Sequence, residues 1–193
     1  MEIIRCGYGH YYNPELHATC PECARMASSD ITIRFRNSHI LQNCGPLEYV
    51  ASGSCGKVYR TEIDGKVHAL KVIDCGHDRE KLRLAENEIF LMKRLPDSEN
   101  VVPLIDHEIL EDRGGTVVLL LEPFMTSFEE YCKTHKMTLQ NILQLGLDIC
   151  AALQNCWNAN VAYLDVQPKN LFVDPNGRFC LGDFSSAVLK TTL

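Results

Sequence analysis

The order of its secondary-structure patterns constrains this sequence most. Three short segments near the start, 47–52, 57–63 and 66–73, have the composition and flanking turn residues of strands. The pair Asp64-Gly65 between the second and third segments is a strong signal for a two-residue hairpin turn. These segments are therefore predicted to form antiparallel strands.

The rest of the chain is predicted to contain two helices as well as further strands. Apolar residues recur at helical spacing over 82–95, and this helix is expected to end before Pro96. Two strands joined by a turn are predicted at 101–109 and 116–122. A long amphipathic helix follows at 138–160, and a short hairpin follows with strands at 171–173 and 179–182. This order predicts an α+β fold.

Composition excludes several classes of protein. A chain of 193 residues with 46% hydrophobic residues can form one domain with a small appendage. Its net charge of -6 opposes nucleic-acid binding. The longest apolar run, 117–121, is far too short to span a membrane, and the N-terminus has no signal-peptide core. We expect a soluble cytoplasmic protein with neither a nucleic-acid nor a membrane partner.

The N-terminal residues 1–26 contain a candidate metal site. Cys6, His10, Cys20 and Cys23 supply the thiolate and imidazole ligands that tetrahedral Zn²⁺ prefers, and His17 is an alternative to His10. So few apolar residues lie here that metal binding would supply most of the folding free energy. Chance cysteines and a redox pair are the other interpretations.

The spacing C-x3-H-x9-C-x2-C resembles short zinc-ribbon-like modules at the N-termini of some bacterial signalling proteins, which implies a structural Zn²⁺. The next segment, 27–46, is interpreted as a linker. Ile31, Ile33 and Phe35 alternate with polar residues within it, which predicts a short half-buried strand.

Five motifs in order resemble the signature set of the protein kinase family, as a eukaryotic-like, bacterial-type serine/threonine kinase. The stretch ASGSCGKV at 51–58 resembles the glycine-rich phosphate loop. Lys71 and Glu88 resemble the strand lysine and its helical glutamate partner. The stretches YLDVQPKN at 163–170 and LGDFS at 181–185 resemble the catalytic loop and the metal-binding segment after it.

This resemblance implies a fold, a domain division and a nucleotide site. We expect a kinase-like domain at 47–193, preceded by the zinc module. Its N-lobe, 47–122, would be a five-stranded antiparallel sheet with one helix, and a partial helical C-lobe would cover 123–193. The residues implied to bind ATP are Gly53, Ser54, Gly56, Val58, Ala69, Lys71, Glu88, Leu121 as gatekeeper, Glu122, Phe124 and Asn170.

The resemblance also assigns the chemistry. Asp165 would orient the attacking hydroxyl and accept its proton, while Lys71 would hold the phosphates. Asn170 and Asp183 would bind Mg²⁺, and the hairpin between them is expected to bring them together. Gln167 occupies the place of a catalytic-loop lysine and can donate a hydrogen bond without supplying a charge.

Three further residues differ from the pattern of the family. Tyr163 and Leu164 replace the histidine and arginine of the catalytic loop, and Ser185 replaces a glycine, which restricts the backbone. The chain ends ten residues after Asp183, before the remaining helices of a C-lobe. We therefore expect a fragment of a longer kinase, a nucleotide-binding remnant, or a chain whose long helix is covered by a partner protein.

Three functions remain open at this point. The first is an ATP- and Mg²⁺-dependent protein serine/threonine kinase, or its N-terminal part, acting on a protein substrate. The second is a pseudokinase that binds nucleotide and acts as a signalling scaffold, which Leu164, Gln167 and Ser185 favour. The third is a small-molecule phosphotransferase of kinase-like fold.

Overall fold

The computed structural model describes residues 3–5, 11–16, 20, 31–53, 56–96 and 98–192. The chain divides into two compact units, Met1–Asp78 with Asp106–Leu121 and Arg79–Ile105 with Glu122–Leu193. The first unit contains β1 (Ile4–Arg5), β2 (Tyr11–Tyr12), α1 (31–34), α2 (His39–Asn43), β3 (Glu48–Gly53), β4 (Gly56–Ile63), β5 (Lys66–Gly76), β6 (Asp106–Asp112) and all but the last two residues of β7 (Gly115–Pro123).

The main sheet of the first unit has the strand order β3-β4-β5-β7-β6. The β3–β4, β4–β5 and β6–β7 pairs are antiparallel. Asp64 and Gly65 join β4 to β5 with φ angles of 50° and 73°, the conformation that a tight hairpin turn needs. The predicted five-stranded sheet and its hairpin are confirmed.

Helices α1 and α2 cover one face of this sheet, so the described part of the predicted linker packs on the domain. Their apolar side chains form a core with alternate residues of β4, β5 and β7; this core contains Ile31, Phe35, Ile40, Leu41, Tyr59, Leu70, Val72, Val117, Leu119 and Leu121. The strand predicted around Ile33 is wrong. Ile31 and Phe35 are buried while Ile33 is 60% exposed, because residues four apart share one face of a helix.

Polar contacts attach these helices to the β6–β7 hairpin. The Arg34 guanidinium donates two hydrogen bonds to the Asp112 carboxylate, at 2.9 and 2.8 Å. Ser38 caps α2 and donates its hydroxyl to Glu108 at 2.6 Å. His39 lies between Glu108 and Asp106, with its Nε2 2.8 Å from the Asp106 carboxylate. The hydrogen bond to Asp106 raises the pKa of His39, although its small desolvation opposes this.

The second unit contains the longer described helices and several short strands. Its elements are α3 (Arg79–Met92), β8 (Thr126–Ser127), α4 (Phe128–Thr134), α5 (Leu139–Asn158), β9 (Val161–Ala162), a 3-10 turn (Pro168–Asn170), β10 (Leu171–Val173), β11 (Phe179–Leu181), β12 (Val188–Leu189) and a second 3-10 turn (Lys190–Thr192). The predicted helices and the short hairpin are confirmed, with helix ends shifted by a few residues.

The strand predicted at 101–109 is partly wrong, because β6 begins only at Asp106. Val101 instead forms an isolated parallel bridge with Leu181, and the Val102 N–H donates to the Leu181 carbonyl at 2.9 Å. Pro103 lacks an N–H group and interrupts any ladder that would continue from there into β6.

Helix α5 has one buried and one exposed apolar side. Ile149, Ala152 and Cys156 are buried, whereas Leu139, Ile142, Leu143, Leu147 and Trp157 are exposed. A partner protein that covers the exposed side stays a prediction, as does the cytoplasmic location. No helix in the described part of the chain has the length and apolar content needed to cross a membrane.

The predicted zinc ligands Cys6, His10 and Cys23 lie outside the described residues, as does His17. Cys20 is described and is buried. Strands β1 and β2 form an antiparallel pair in which Arg5 faces Tyr11. Within the described ranges, no group of three or more His, Cys, Asp or Glu side chains is arranged to hold a metal ion.

We expect His39→Gln to destabilise the protein more at about pH 5.5 than at about pH 8.5. A raised folded-state pKa gives a stabilisation that is fully present below the unfolded-state pKa and is lost as the pH rises through the folded-state pKa. Asp106 and Glu108 remain ionised at the lower pH because their pKa values are lowered, despite burial, by hydrogen bonds that include those from His39 and Ser38. Thermal melting at the two pH values measures the effect.

The exposed His77 provides the control, as His77→Gln makes the same chemical change in the loop after β5. An equal loss of melting temperature at both pH values in His39→Gln would show that the charge on His39 does not stabilise this contact.

Candidate active site

The register of the β10–β11 hairpin positions two predicted metal ligands in the second unit. Leu171 pairs with Leu181, and the Gly182 N–H extends the pairing by donating to the Asn170 carbonyl at 2.9 Å. Asn170 therefore lies beside the residue that precedes Asp183. The hairpin therefore brings these two residues close together, as predicted.

The turn of this hairpin is held by the buried carboxylate of Asp174. It accepts hydrogen bonds from the Asn176 N–H at 2.8 Å, the Arg178 N–H at 2.9 Å and the Arg178 Nε at 2.8 Å. Burial opposes ionisation, but the hydrogen bonds from Arg178 and Asn176 outweigh it and lower the pKa of Asp174. The turn is thereby fixed in a single conformation.

Two side-chain amides hold the carboxylate of Asp165, the predicted base. Gln167 Nε2 donates to Oδ1 at 2.5 Å, and Asn170 Nδ2 donates to Oδ2 at 2.9 Å. Asn170 Nδ2 also lies 3.0 Å from the Asp165 carbonyl. Because Asn170 is only 2% exposed, its amide is a fixed donor. The structure thus brings Asp165, Gln167 and Asn170 together.

Tyr163 connects this loop to the segment that carries Asp183. Its hydroxyl donates to the Gly182 carbonyl at 2.6 Å and lies 3.2 Å from the Asp183 carbonyl. Its ring contacts Phe184 edge-on at 5.2 Å. Burial raises the pKa of Tyr163, and the negative charges of Asp183 and Asp165 raise it further. The tyrosine is therefore a structural donor in this site.

The backbone of Asp183 has an unusual conformation, with φ at 52°. Non-glycine residues rarely adopt this left-handed region, and such residues are concentrated at functional sites. The Ser185 N–H donates to Asp183 Oδ1 at 3.3 Å. Ser185 is not among the described non-glycine residues with positive φ, so its replacement of a glycine causes no strain of that kind.

Strands β3, β4 and β5 position the residues predicted to contact nucleotide in the first unit. Gly53 pairs with Gly56, and a Cβ atom added to Gly56 would approach the Val72 carbonyl oxygen to 2.5 Å. Ser54 lies between them and outside the described residues. Glycine is thus required at position 56 by the close approach of β5.

Lys71 and two apolar residues share one face of the sheet. Val58 pairs directly with Lys71, and Ala69 precedes Lys71 by two residues, which places it on the same face. Lys71 is 9% exposed. This face is opposite to the one that α1 and α2 cover, because the intervening Leu70 packs in their core.

Strand alternation shows which face of the sheet Leu121, the predicted gatekeeper, occupies. Leu121 packs with Leu119 in the core beneath α1 and α2, on the face of the sheet opposite Lys71. Its neighbour Leu120 points to the other face, the one that Lys71 occupies, and is fully buried. The role of Leu121 as gatekeeper stays a prediction.

The other predicted nucleotide contacts belong to the second unit. Glu88 lies on α3 and is 1% exposed. The neighbouring Asn87 donates its amide to the Ala187 carbonyl at 3.2 Å, which attaches α3 to the chain that follows Asp183. Glu122 and Phe124 are half-buried at the end of β7 and just after it.

The sequence of most of the chain matches a known family. The sequence profile of that family, described as "Protein kinase domain", matches residues 46–192. The chain belongs to the protein kinase family. Helices α1 and α2 of the chain precede the matched region.

Similar proteins support a serine/threonine type of kinase. The chain is 25% identical over 174 residues to the serine/threonine-protein kinase MPS1 of Encephalitozoon cuniculi, and the match covers 89% of this chain. It is 28% identical over 147 residues to a probable serine/threonine-protein kinase mps1 of Dictyostelium discoideum, covering 73%. It is 28% identical over 149 residues to cyclin-dependent kinase 14 of Xenopus tropicalis, covering 75%.

The chain spans only part of each relative, namely 29%, 14% and 34% of their respective lengths. All three relatives are eukaryotic proteins, so the bacterial type expected from the N-terminal spacing is not confirmed.

We expect Tyr163→Phe to lower the free energy of unfolding by about 1 kcal/mol, because two backbone carbonyls lose their shared donor while the ring packing is kept. Chemical denaturation measures this change. The control is Tyr131→Phe, which removes a hydroxyl from a ring stacked on His135 in the same unit. Equal losses in the two variants would contradict a specific role for the Tyr163 hydroxyl.

Proposed function

We propose that this chain is the catalytic part of an ATP- and Mg²⁺-dependent protein serine/threonine kinase. The observation that carries the proposal is the carboxylate of Asp165, oriented by two amides beside the segment that bears Asp183. A carboxylate base next to two oxygen ligands is what transfer of a phosphoryl group to a hydroxyl requires. The names of the relatives support the same activity.

The residues of the sheet would bind the nucleotide. The backbone at Gly53, Ser54 and Gly56 would face the phosphates, and Val58 with Ala69 would pack on the base. Lys71 would hold the phosphates, with Glu88 as its partner on α3. The backbone at Glu122 and Phe124 would receive the adenine edge. Support comes from the shared face of Val58, Ala69 and Lys71.

In the proposed transfer, the substrate hydroxyl oxygen forms a bond to the γ-phosphorus. The bond from this phosphorus to its bridging oxygen breaks, and ADP leaves with the electron pair. Asp165 accepts the hydroxyl proton. With both its oxygens held by amides, Asp165 would keep one orientation toward the attacking group.

The donor set fits Mg²⁺, which prefers carboxylate and amide oxygens. Asn170 uses its amide nitrogen toward Asp165, so the group that it can offer to a metal is the amide oxygen. Asp183 would supply a carboxylate. Bound Mg²⁺ would neutralise charge on the phosphates during transfer.

Asp165→Asn is expected to lower the rate of phosphate transfer by about 100-fold or more, because an amide cannot accept the proton. The measurement is phosphate transfer from ATP in the presence of Mg²⁺ to a mixture of protein substrates. The matched control is Asp64→Asn in the β4–β5 turn, where asparagine is equally compatible with positive φ. Unchanged transfer by Asp165→Asn would overturn the role of Asp165.

A pseudokinase that binds nucleotide is the second candidate. It is favoured because Gln167 brings no charge to the loop, and because no Lys or Arg in the described part of the second unit forms an ion pair with Asp165. ATP with Mg²⁺ would then raise the melting temperature of the wild-type chain without detectable transfer.

The N-terminal segment is proposed to hold one structural Zn²⁺ through Cys6, Cys20, Cys23 and either His10 or His17. The spacing of these residues supports it, as does the β1–β2 pair, whose two strands flank residues 6–10 in sequence.

Elemental analysis of the wild-type chain is expected to give about one zinc per chain, because four ligands complete a tetrahedral site. Cys20→Ser combined with Cys23→Ser removes two ligands and should abolish it. The control is Cys132→Ser combined with Cys150→Ser, since both thiols are exposed on helices of the second unit. A wild-type chain prepared without chelator that contains no metal would exclude the site.

A further inference from the structure

Residues 31–44, which contain α1 and α2, precede the part of the chain that matches the kinase profile. We propose that this extension acts as a clamp on residues 74–78, the exit of β5, with Arg34 as its positioning residue. The inference rests on the proposed kinase function, because β5 carries Lys71 and its exit leads to α3, which carries Glu88. It adds to that function a segment that the family profile does not include.

The extension is attached to β5 by apolar packing. Its four core side chains are no more than 8% exposed, and they share one core with Leu70 and Val72 of β5; these four are Ile31, Phe35, Ile40 and Leu41. Leu70 and Val72 flank Lys71 in the sequence, and their side chains lie on the opposite face of the strand. The extension therefore supports β5 from behind, on both sides of Lys71.

Arg34 connects the extension to the turn between β6 and β7. Its two hydrogen bonds to Asp112 form a bidentate pair, and only 22% of the Arg34 side chain is exposed. A Cβ atom added to Gly114 would lie 2.8 Å from Arg34 Nη2, so the guanidinium lies directly against the turn. Bidentate arginine–carboxylate pairs fix geometry as well as adding energy. Arg34 therefore holds the turn in a defined position relative to α1.

The turn lies in turn against the exit of β5. A Cβ atom added to Gly115 would overlap the backbone of Gly76, so the two backbones are in direct contact. Arg34 also reaches the exit itself, since its Nη1 lies 3.9 Å from Asp74 Oδ2. Arg34 thus acts on the exit both directly and through the β6–β7 turn.

The bonds within the exit are local. The Gly76 N–H donates to Asp74 Oδ1 at 3.0 Å, and the Asp78 N–H donates to the Cys75 carbonyl at 2.9 Å. Such bonds shape a turn but do not fix its place on the sheet, and the pairing with β4 holds β5 as far as Val72. The contacts with Arg34 and Gly115 connect the exit to the rest of the first unit.

Variants of Arg34 test the clamp by amide hydrogen exchange and by calorimetric titration with ATP and Mg²⁺. Arg34→Met keeps the apolar stem but removes the donors, and we expect residues 76–78 to exchange at least about fivefold faster while the β4–β5 ladder is unchanged. The affinity for ATP is expected to fall about 3- to 10-fold. Arg34→Lys keeps the charge but not the bidentate geometry, and should give intermediate values.

A second variant displaces Arg34 without altering it. Gly114→Ala places a methyl group against the guanidinium, and Gly114 is not among the described glycines with positive φ. We expect the same changes as in Arg34→Met, and no further change when the two substitutions are combined, because both remove one interaction. The matched control is Arg83→Met, since Arg83 forms a bidentate pair with Glu80 on the exposed surface of α3.

The outcomes separate the clamp from other roles. Unchanged exchange at residues 76–78 in Arg34→Met would overturn the clamp, and equally faster exchange throughout the first unit would show a general role in stability instead. Faster exchange at 76–78 with wild-type affinity for ATP would overturn the link to the nucleotide. A wild-type chain that binds no ATP would contradict the proposed function, whereas the exchange at 76–78 would still decide whether Arg34 holds the exit.

Discussion

The candidate site depends on the pairing of two three-residue strands, β10 and β11. The register of β10 and β11 places Asn170 next to Gly182, the residue that precedes Asp183. A slip of one residue would turn every side chain to the opposite face. Such short strands need other contacts to fix their register.

Two buried carboxylates provide those contacts. Asp174 closes the turn by accepting three hydrogen bonds from Asn176 and Arg178. Asp148 reaches from α5 and accepts the Phe179 N–H at 2.9 Å, at the first residue of β11. The longest helix of the second unit and the turn between β10 and β11 therefore both hold the hairpin in place.

Sequence patterns predicted the order of elements and the members of the loop around Asp165, but not the finer geometry. The region 31–35 fits strand and helix alternation equally well, because only three apolar residues define it. Position 121 could not be assigned to a face, since 117–121 are all apolar and both faces of β7 are covered. The mutual orientation of Gln167 and Asp165 depends on the hydrogen bonds of a turn, and these cannot be recognised from the residue types alone.

The tyrosine at position 163 gives the site a property that a histidine there would not share. Histidine changes its charge near neutral pH, whereas Tyr163 has a pKa raised above the already high ordinary value for its side chain. Its hydroxyl hence keeps its proton, and its bond to the Gly182 carbonyl, across the whole physiological range. The contact between the loop that carries Asp165 and the segment that carries Asp183 is accordingly made by a side chain whose charge does not change when the surroundings become more acidic.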